Sequence, residues 1–332
     1  MKKMFFTLLF GWLFASPVNA QVDPHFSQYY VYPSWLNPAL TGAIDGDYRI
    51  SGIYRSQWNG IDGFSTSGLS ADMITNKNIN IGGGVMQQKA GDGGYTYLTA
   101  NVSLAYTGIR FDAEGYKRLV FGLQGGIVDR RFNRNKFTLG DQWNPITGYN
   151  ANVPSLDVLT QNASTVFDAG AGLMYYDAAP GKKANVFVGA SIAHLTQPDD
   201  AFTSGPVKGK LPARYTFHGG VKLSVSETVS IVPNALYLKQ GTAEEKMLGA
   251  YAQIKGNNFF DFLLGANYRF DDAVAPFAGF YYKNLTLGLS YDVNTSDLGK
   301  NINNINSFEI SMSYIFRKSK ELPGRNFVCP RL

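Results

Sequence analysis

Apolar and polar residues alternate with a period of two along most of the chain, the pattern of β-strands with two unlike faces. Leu98, Ala100, Val102, Leu104 and Tyr106 alternate with Thr99, Asn101, Ser103 and Ala105. Leu119, Phe121, Leu123 and Ile127 alternate with Gly122, Gln124 and Gly126. Phe167 to Tyr175, Tyr215 to Val225 and Phe308 to Phe316 repeat the pattern. One face of each strand is apolar and the other is small or polar. Strands are expected to start near Tyr48, Phe64, Ile79, Tyr95, Leu119, Phe167, Ala184, Arg214, Ser230, Lys246, Phe259, Val274, Leu285 and Ser307. That makes about fourteen, an even number as bacterial single-chain barrels require.

The connections sort by parity. After even-numbered strands they are mostly tight: Thr75-Asn76-Lys77-Asn78, Ser226-Glu227-Thr228 and Lys283-Asn284. The three longest, residues 130–165, 197–212 and 294–306, follow odd-numbered strands. Short periplasmic turns and long outer loops are the asymmetry of outer-membrane barrels, whereas a β-sandwich has no reason to sort its loops this way. Aromatics also gather at strand ends: Tyr48 and Tyr54, Tyr95 and Tyr97, Tyr175 and Tyr176, Tyr281 and Tyr282, Tyr314 and Phe316. Such rings suit the bilayer interface. The expected fold is all-β, an antiparallel transmembrane β-barrel of about 14 strands with a non-barrel N-terminal periplasmic segment. The phase puts both termini on the periplasmic side.

Composition narrows the field further. Charged residues are 17% of the chain, below the usual quarter or so of a soluble domain. One Cys excludes a disulfide scaffold, and 45% apolar residues exclude general disorder. Met1-Lys2-Lys3, an apolar run over residues 4–15 and Ser16-Pro17-Val18-Asn19-Ala20 read as a signal peptide, residues 1–20. Its removal takes Lys2 and Lys3 with it, lowering the net charge from +5 to +3. The remaining basic residues are spread out, so nucleic acid is not an expected partner. The rest divides into a periplasmic or plug segment at 21–46, a barrel at 47–317 and a periplasmic tail at 318–332.

Residues 21–46 do not alternate. They hold Pro24, Pro33 and Pro38 among dense aromatics, which need a surface to bury against. The lumen, the periplasmic rim and a partner are the three options. Glycines recur on the polar strand faces at Gly82, Gly84, Gly122, Gly126, Gly170, Gly172, Gly189 and Gly220. Curvature and bulges account for them most simply, and a lumen kept clear for an inserted segment is the alternative.

Three stretches carry a resemblance. Asp23-Pro24-His25-Phe26-Ser27-Gln28-Tyr29-Tyr30, Leu36-Asn37-Pro38-Ala39-Leu40-Thr41-Gly42 and Tyr54-Arg55-Ser56-Gln57-Trp58 resemble the opening of the PorP/SprF family. The ending Phe327-Val328-Cys329-Pro330-Arg331-Leu332 is similar to that family's Cys-Pro-Arg-aromatic terminus, with aliphatic Leu332 departing at the last position. The resemblance implies an outer-membrane barrel of the type IX secretion and gliding machinery of Bacteroidota-type bacteria. It further implies export or surface attachment of a large adhesin on the outer side, and contact with periplasmic secretion or motor components. On that basis Asp23, Pro24, His25, Phe26, Ser27, Gln28, Tyr29, Asn37, Pro38, Gly42, Arg55, Gln57, Trp58, Cys329, Pro330 and Arg331 are candidate partner-binding residues. The outer loops are the candidate site for the surface protein.

Little else suggests chemistry. His25, His194 and His218 lie far apart without ligands at metal spacing, so neither metal nor cofactor is expected. Gly63-Phe64-Ser65-Thr66-Ser67 misses a nucleophile elbow at its last position. His218 reads as a pore-lining residue rather than part of a lumenal hydrolase. Arg130, Arg131, Arg134 and Lys136 form the densest basic cluster; the arginines are candidates for lipid headgroups, and a solvated loop base is the alternative. Cys329 is either an intermolecular link or a protected thiol. The function expected is thus a non-catalytic component of type IX secretion. Rivals are a passive outer-membrane transporter or porin for hydrophobic solutes, a soluble adhesin sandwich and a lumenal hydrolase.

Overall fold

A computed structural model describes residues 23–58, 63–75, 77–91, 94–133, 136, 140–150, 152–153, 161–199, 210–257, 260–296 and 306–317. Fourteen strands close into one antiparallel barrel. In chain order they are β1 (Tyr48–Gln57), β2 (Phe64–Met73), β3 (Ile79–Ala90), β4 (Tyr95–Arg110), β5 (Lys117–Phe132), β6 (Ala163–Asp177), β7 (Ala184–Ala193), β8 (Arg214–Ser224), β9 (Val229–Gln240), β10 (Ala243–Asn257), β11 (Phe260–Arg269), β12 (Ala273–Tyr282), β13 (Leu285–Asn294) and β14 (Ser307–Phe316). Each pairs with its sequence neighbours, and β1 pairs with β14 to close the cylinder. A two-residue ladder, Trp143–Asn144 with Gly148–Tyr149, lies in the longest connection.

The apolar faces look outward. Leu104 is 48% exposed, Phe121 45% and Leu223 38%, so the side chains that a soluble sandwich would bury form the outer wall. Each would cost about 1.5–3 kcal/mol left in water, and lipid removes that cost. The soluble-sandwich alternative is therefore excluded. The alternate positions point inward and are polar and buried: Ser307, Glu309, Ser311 and Ser313 on β14 are examples. The three long connections all leave one end of the barrel, and tight turns close the other.

Two sequence expectations need correction. First, β5, β6 and β10 begin two to four residues before the alternation does. Ladder hydrogen bonds continue past the apolar band, where Ser164, Glu244 and Glu245 carry no lipid-facing pattern. Second, not all strand-end aromatics belong to a girdle. Tyr97 and Tyr176 are 2% exposed and point into the barrel, because the pleat sends neighbouring residues to opposite faces.

Residues 23–44 fill the lumen. A 3₁₀ turn at Tyr29–Val31, one short helix α1 (Pro33–Leu36) and a second 3₁₀ turn at Pro38–Leu40 fold the segment compactly. Pro33 and Pro38 sit at the first helical positions, where a missing N–H costs nothing. Phe26, Tyr29, Tyr30, Tyr32, Trp35, Leu36 and Leu40 are all buried, in one cluster with Met174, Phe187 and Tyr251 of the wall. Of the placements expected for this segment, the structure has the lumen rather than the periplasmic rim. The chain passes from the long-loop end at Asp23 to the tight-turn end at Asp47, and there enters β1. The described part of this segment therefore starts at the long-loop end, opposite the end where β1 begins.

Candidate functional site: a plug bonded into the barrel wall

The plug is held at four stations. At the first, Asp23 is clasped beside the long-loop mouth. Tyr97 donates to its Oδ1 (3.0 Å), while His194 Nε2 and Arg214 Nη1 reach Oδ2 at 2.7 and 2.9 Å. His194 Nδ1 lies 2.8 Å from Asp168 Oδ2. Arg214 also donates to Trp35 O and lies 4.5 Å above that indole ring. Burial alone would lower the His194 pKa, but the flanking Asp23 and Asp168 carboxylates push it up to about 9. Burial alone would raise Asp23; the charges of His194 and Arg214 hold it well below its usual value instead. Both partners are charged near neutrality, as a buried clasp requires.

The second station is the most highly charged. Glu309 accepts the backbone N–H groups of Ser27 (2.6 Å) and Gln28 (2.8 Å). Arg55 Nη1 bonds Glu309 at 2.5 Å and Asp292 at 2.9 Å. Arg269 binds Asp292 at 2.8 Å and also pairs with Asp272. Ser27 Oγ donates to Asp292 (2.8 Å) and accepts from Arg55 (3.2 Å) and Arg269 (3.0 Å). His25 Nε2 lies 3.3 Å from Arg55 Nη2. Arg55 and Glu309 are directly opposite each other on β1 and β14, so this station straddles the seam that closes the barrel.

The third station is Asn37. Its side-chain oxygen caps the second 3₁₀ turn by accepting from Ala39 N (2.9 Å). Its amide nitrogen donates to Leu173 O (3.0 Å) and Ala190 O (3.3 Å), and lies 3.1 Å from His218 Nε2. At the fourth, near the tight turns, Gly42 N donates to Asp72 (2.6 Å), which is bidentate with Arg49 at 2.9 and 3.0 Å. Gly42 has φ +71° there, a backbone that favours glycine.

Lumenal glycines make the room. A Cβ at Gly122 would stand 2.2 Å from Ala39 N, and one at Gly172 would stand 1.9 Å from Asn37 Oδ1. Gly84 likewise faces Tyr32 and Ser34, and Gly82 and Gly189 face Thr41 and Asn37 alongside the wall residues Asp72 and His218. Wall atoms come first at Gly82, Gly126, Gly170, Gly189 and Gly220, so these glycines make room for the wall's own atoms as well as for the plug. A cavity of about 40 Å³ remains beside Asp23, Tyr32, Trp35 and His194, room for a few waters.

The structure therefore joins two of the sequence stretches singled out above. His25 and Ser27 meet Arg55, which also bonds Gln57, and Gln28 joins the same station through Glu309. Phe26 packs edge-on against Trp35, and the Tyr29 hydroxyl donates to Asn234 at 2.9 Å. Pro24, Phe26, Asn37, Pro38 and Gly42 are also buried in the plug. These candidate partner-binding residues are packed against the barrel's own wall. Trp58 stands apart, at φ +60° with its ring 5.5 Å from Phe64. Arg130 is buried rather than turned to lipid; Arg131 is exposed and paired with Asp129 at 2.6 Å. Arg134, Cys329, Pro330 and Arg331 lie outside the described residues.

Pattern reading missed Arg49, Asp72, Asp168, His194, Arg269, Asp292 and Glu309. A signal existed. In a chain of such low charge, an ionisable residue inside an alternating strand must face the lumen and find a partner.

The family model described as Type IX secretion system membrane protein PorP/SprF matches residues 18–314. No curated relative matches the chain. Among solved structures it is similar to the Ralstonia pickettii toluene transporter TbuX (12% identity, 85% of this chain and 92% of that one, TM-score 0.48). It is similar also to the CymD monoaromatic hydrocarbon channel (13%, 89% and 95%, TM-score 0.49) and to the Pseudomonas putida toluene transporter TodX (10%, 84% and 91%, TM-score 0.48). With the family model covering the plug and nearly all of the barrel, the chain belongs to the PorP/SprF family of type IX secretion system membrane proteins.

Proposed function

We propose that this protein is a non-catalytic outer-membrane platform of the type IX secretion and gliding machinery, supporting export or surface attachment of a large adhesin-like protein. The long connections face outward and hold that protein. The tight turns and the tail with Cys329, Pro330 and Arg331 face the periplasm and meet secretion or motor components. The observation that carries this reading is the plug. Residues 23–44 occupy the lumen and bond to the wall at four stations, which suits a scaffold better than a conduit. Passive transport of hydrophobic solutes would need a through-passage that this packing opposes.

The test is to shorten the connection after β5 by removing residues 140–150, then follow membrane insertion and surface display of the exported protein. Insertion should persist and display should fall. Undiminished display would refute the assignment of the outer loops. A detergent pull-down of the intact protein, read by mass spectrometry, should recover the surface protein together with periplasmic components.

A further inference from the structure

The cavity of about 40 Å³ lies between plug and wall, beside the Asp23 clasp. That is several times the roughly 10–15 Å³ that one water needs. Inward positions across β3 to β6 form a row in register: Gly84, Asn101, Gly126 and Asp168. Only Asn101 and Asp168 carry side chains there, which leaves space beside Tyr32 and Ser34 of the plug. Four buried side-chain atoms of the lining residues have no hydrogen-bond partner among the described residues. Trp35 Nε1 and Arg214 Nε can only donate; Asn101 Oδ1 and Gln124 Oε1 can only accept. Native interiors leave few such atoms. Here they come from the plug and from three strands, β8, β4 and β5, onto one space.

The ionisable groups around this space are already bonded to one another. Asp23 takes Tyr97, His194 and Arg214. Asp168 takes His194 and, through Oδ1, the Thr196 hydroxyl at 3.3 Å. An entering anion would meet those two carboxylates, and an entering cation would meet the Arg214 guanidinium. The atoms left over call for a group that donates and accepts at once. A hydroxyl does both, whereas a carboxylate only accepts and an ammonium only donates. Tyr32 and Ser34 add hydroxyls of their own to the lining, and Met86 and Tyr97 offer apolar surface to carbon atoms.

We propose that this cavity is a binding site for a small uncharged polyol of glycerol's size. Its hydroxyl groups accept from Trp35 and Arg214 and donate to Asn101 and Gln124, so the ligand ties the plug to β4, β5 and β8. The cavity adjoins Asp23 and His194 at the long-loop end, and the ligand enters from that mouth. The site does not rest on the proposed role in secretion, so either can fail without the other.

The experiment dialyses the purified full-length protein in detergent to equilibrium against radiolabelled glycerol. Binding should saturate at one glycerol per chain. Substituting Asn101→Leu and Gln124→Met together keeps side-chain size and removes both acceptors. That should weaken binding by about twenty-fivefold, about fivefold for each lost hydrogen bond. Gln124→Met alone provides a milder variant, and heat-modifiable migration on gels reports that each protein is folded. Arg118→Ala, at the tight-turn end, should leave binding unchanged. Absence of saturable binding to the parent would mean that the cavity takes water only, and would overturn the site. So would equal binding by the folded double variant and the parent. Two competitors complete the test. Inorganic phosphate that displaces glycerol would show an anion site instead, and sucrose that displaces it equally well would show an open surface rather than this cavity; either result sinks the proposal.

Discussion

Gly122 shows how much of this molecule depends on single atoms. Its missing side chain leaves the backbone of Ala39 room to lie against β5. Gly122→Val should therefore lower stability by about 1–3 kcal/mol, because the nearby atoms are backbone and cannot move aside. Gly125→Val, whose Cβ would meet only Phe167 at 3.7 Å, is the matched control and should be nearly neutral. Loss of heat-modifiable migration at a lower temperature would report the difference. The Asp23 clasp gives a second prediction. The His194 pKa is raised from 6.5 to about 9, so its contribution is complete below 6.5 and is lost as pH climbs through 9. Asp23 is held low, so its contribution is present above 3.8 and is lost only as pH falls toward that lowered value. Between those limits Asp23 and His194 are both charged. Melting of the parent should fall between pH 7 and 10, by up to about 3 kcal/mol from this clasp, and His194→Gln should flatten that limb. An unchanged alkaline limb in the variant would show that the clasp does not carry it. At this scale the sequence was only half legible. It marked His25, Ser27 and Arg55 through a family resemblance, yet it did not mark Glu309 or Asp292, which hold them.

The plug is the element that gives the barrel its interior. Fourteen strands enclose more space than wall side chains fill, and the aromatic segment supplies the missing core. Its tie to Glu309 places it on the β1–β14 seam, so closure of the cylinder and seating of the plug share one carboxylate. Removing residues 23–44 should leave Arg55, Glu309 and Asp292 around an emptied lumen. The shortened protein should still insert, melt well below the parent, and conduct ions in planar bilayers where the intact protein stays silent. Equal conductance of the two would mean that the plug does not close the passage. Strand limits were readable wherever lipid imposes alternation. They failed at β6 and β10, whose ladders run on beyond the apolar band.

Considered whole, the molecule is a closed cylinder whose three long connections all leave one end. Long connections crowd one mouth, tight turns ring the other, and the plug bridges the two inside. The alternating pattern settled the lipid-facing wall, the strand number and the sorting of connections, because each follows from residues close together in the chain and from contact with a uniform apolar solvent. The contents of the lumen were decided only in three dimensions. Ser27 meets Glu309 across 282 positions, and Asn37 meets His218 across 181. No local period encodes pairs so distant: buried charge and close glycine contacts acquire meaning only once the sheet has curved round and brought its first and last strands together.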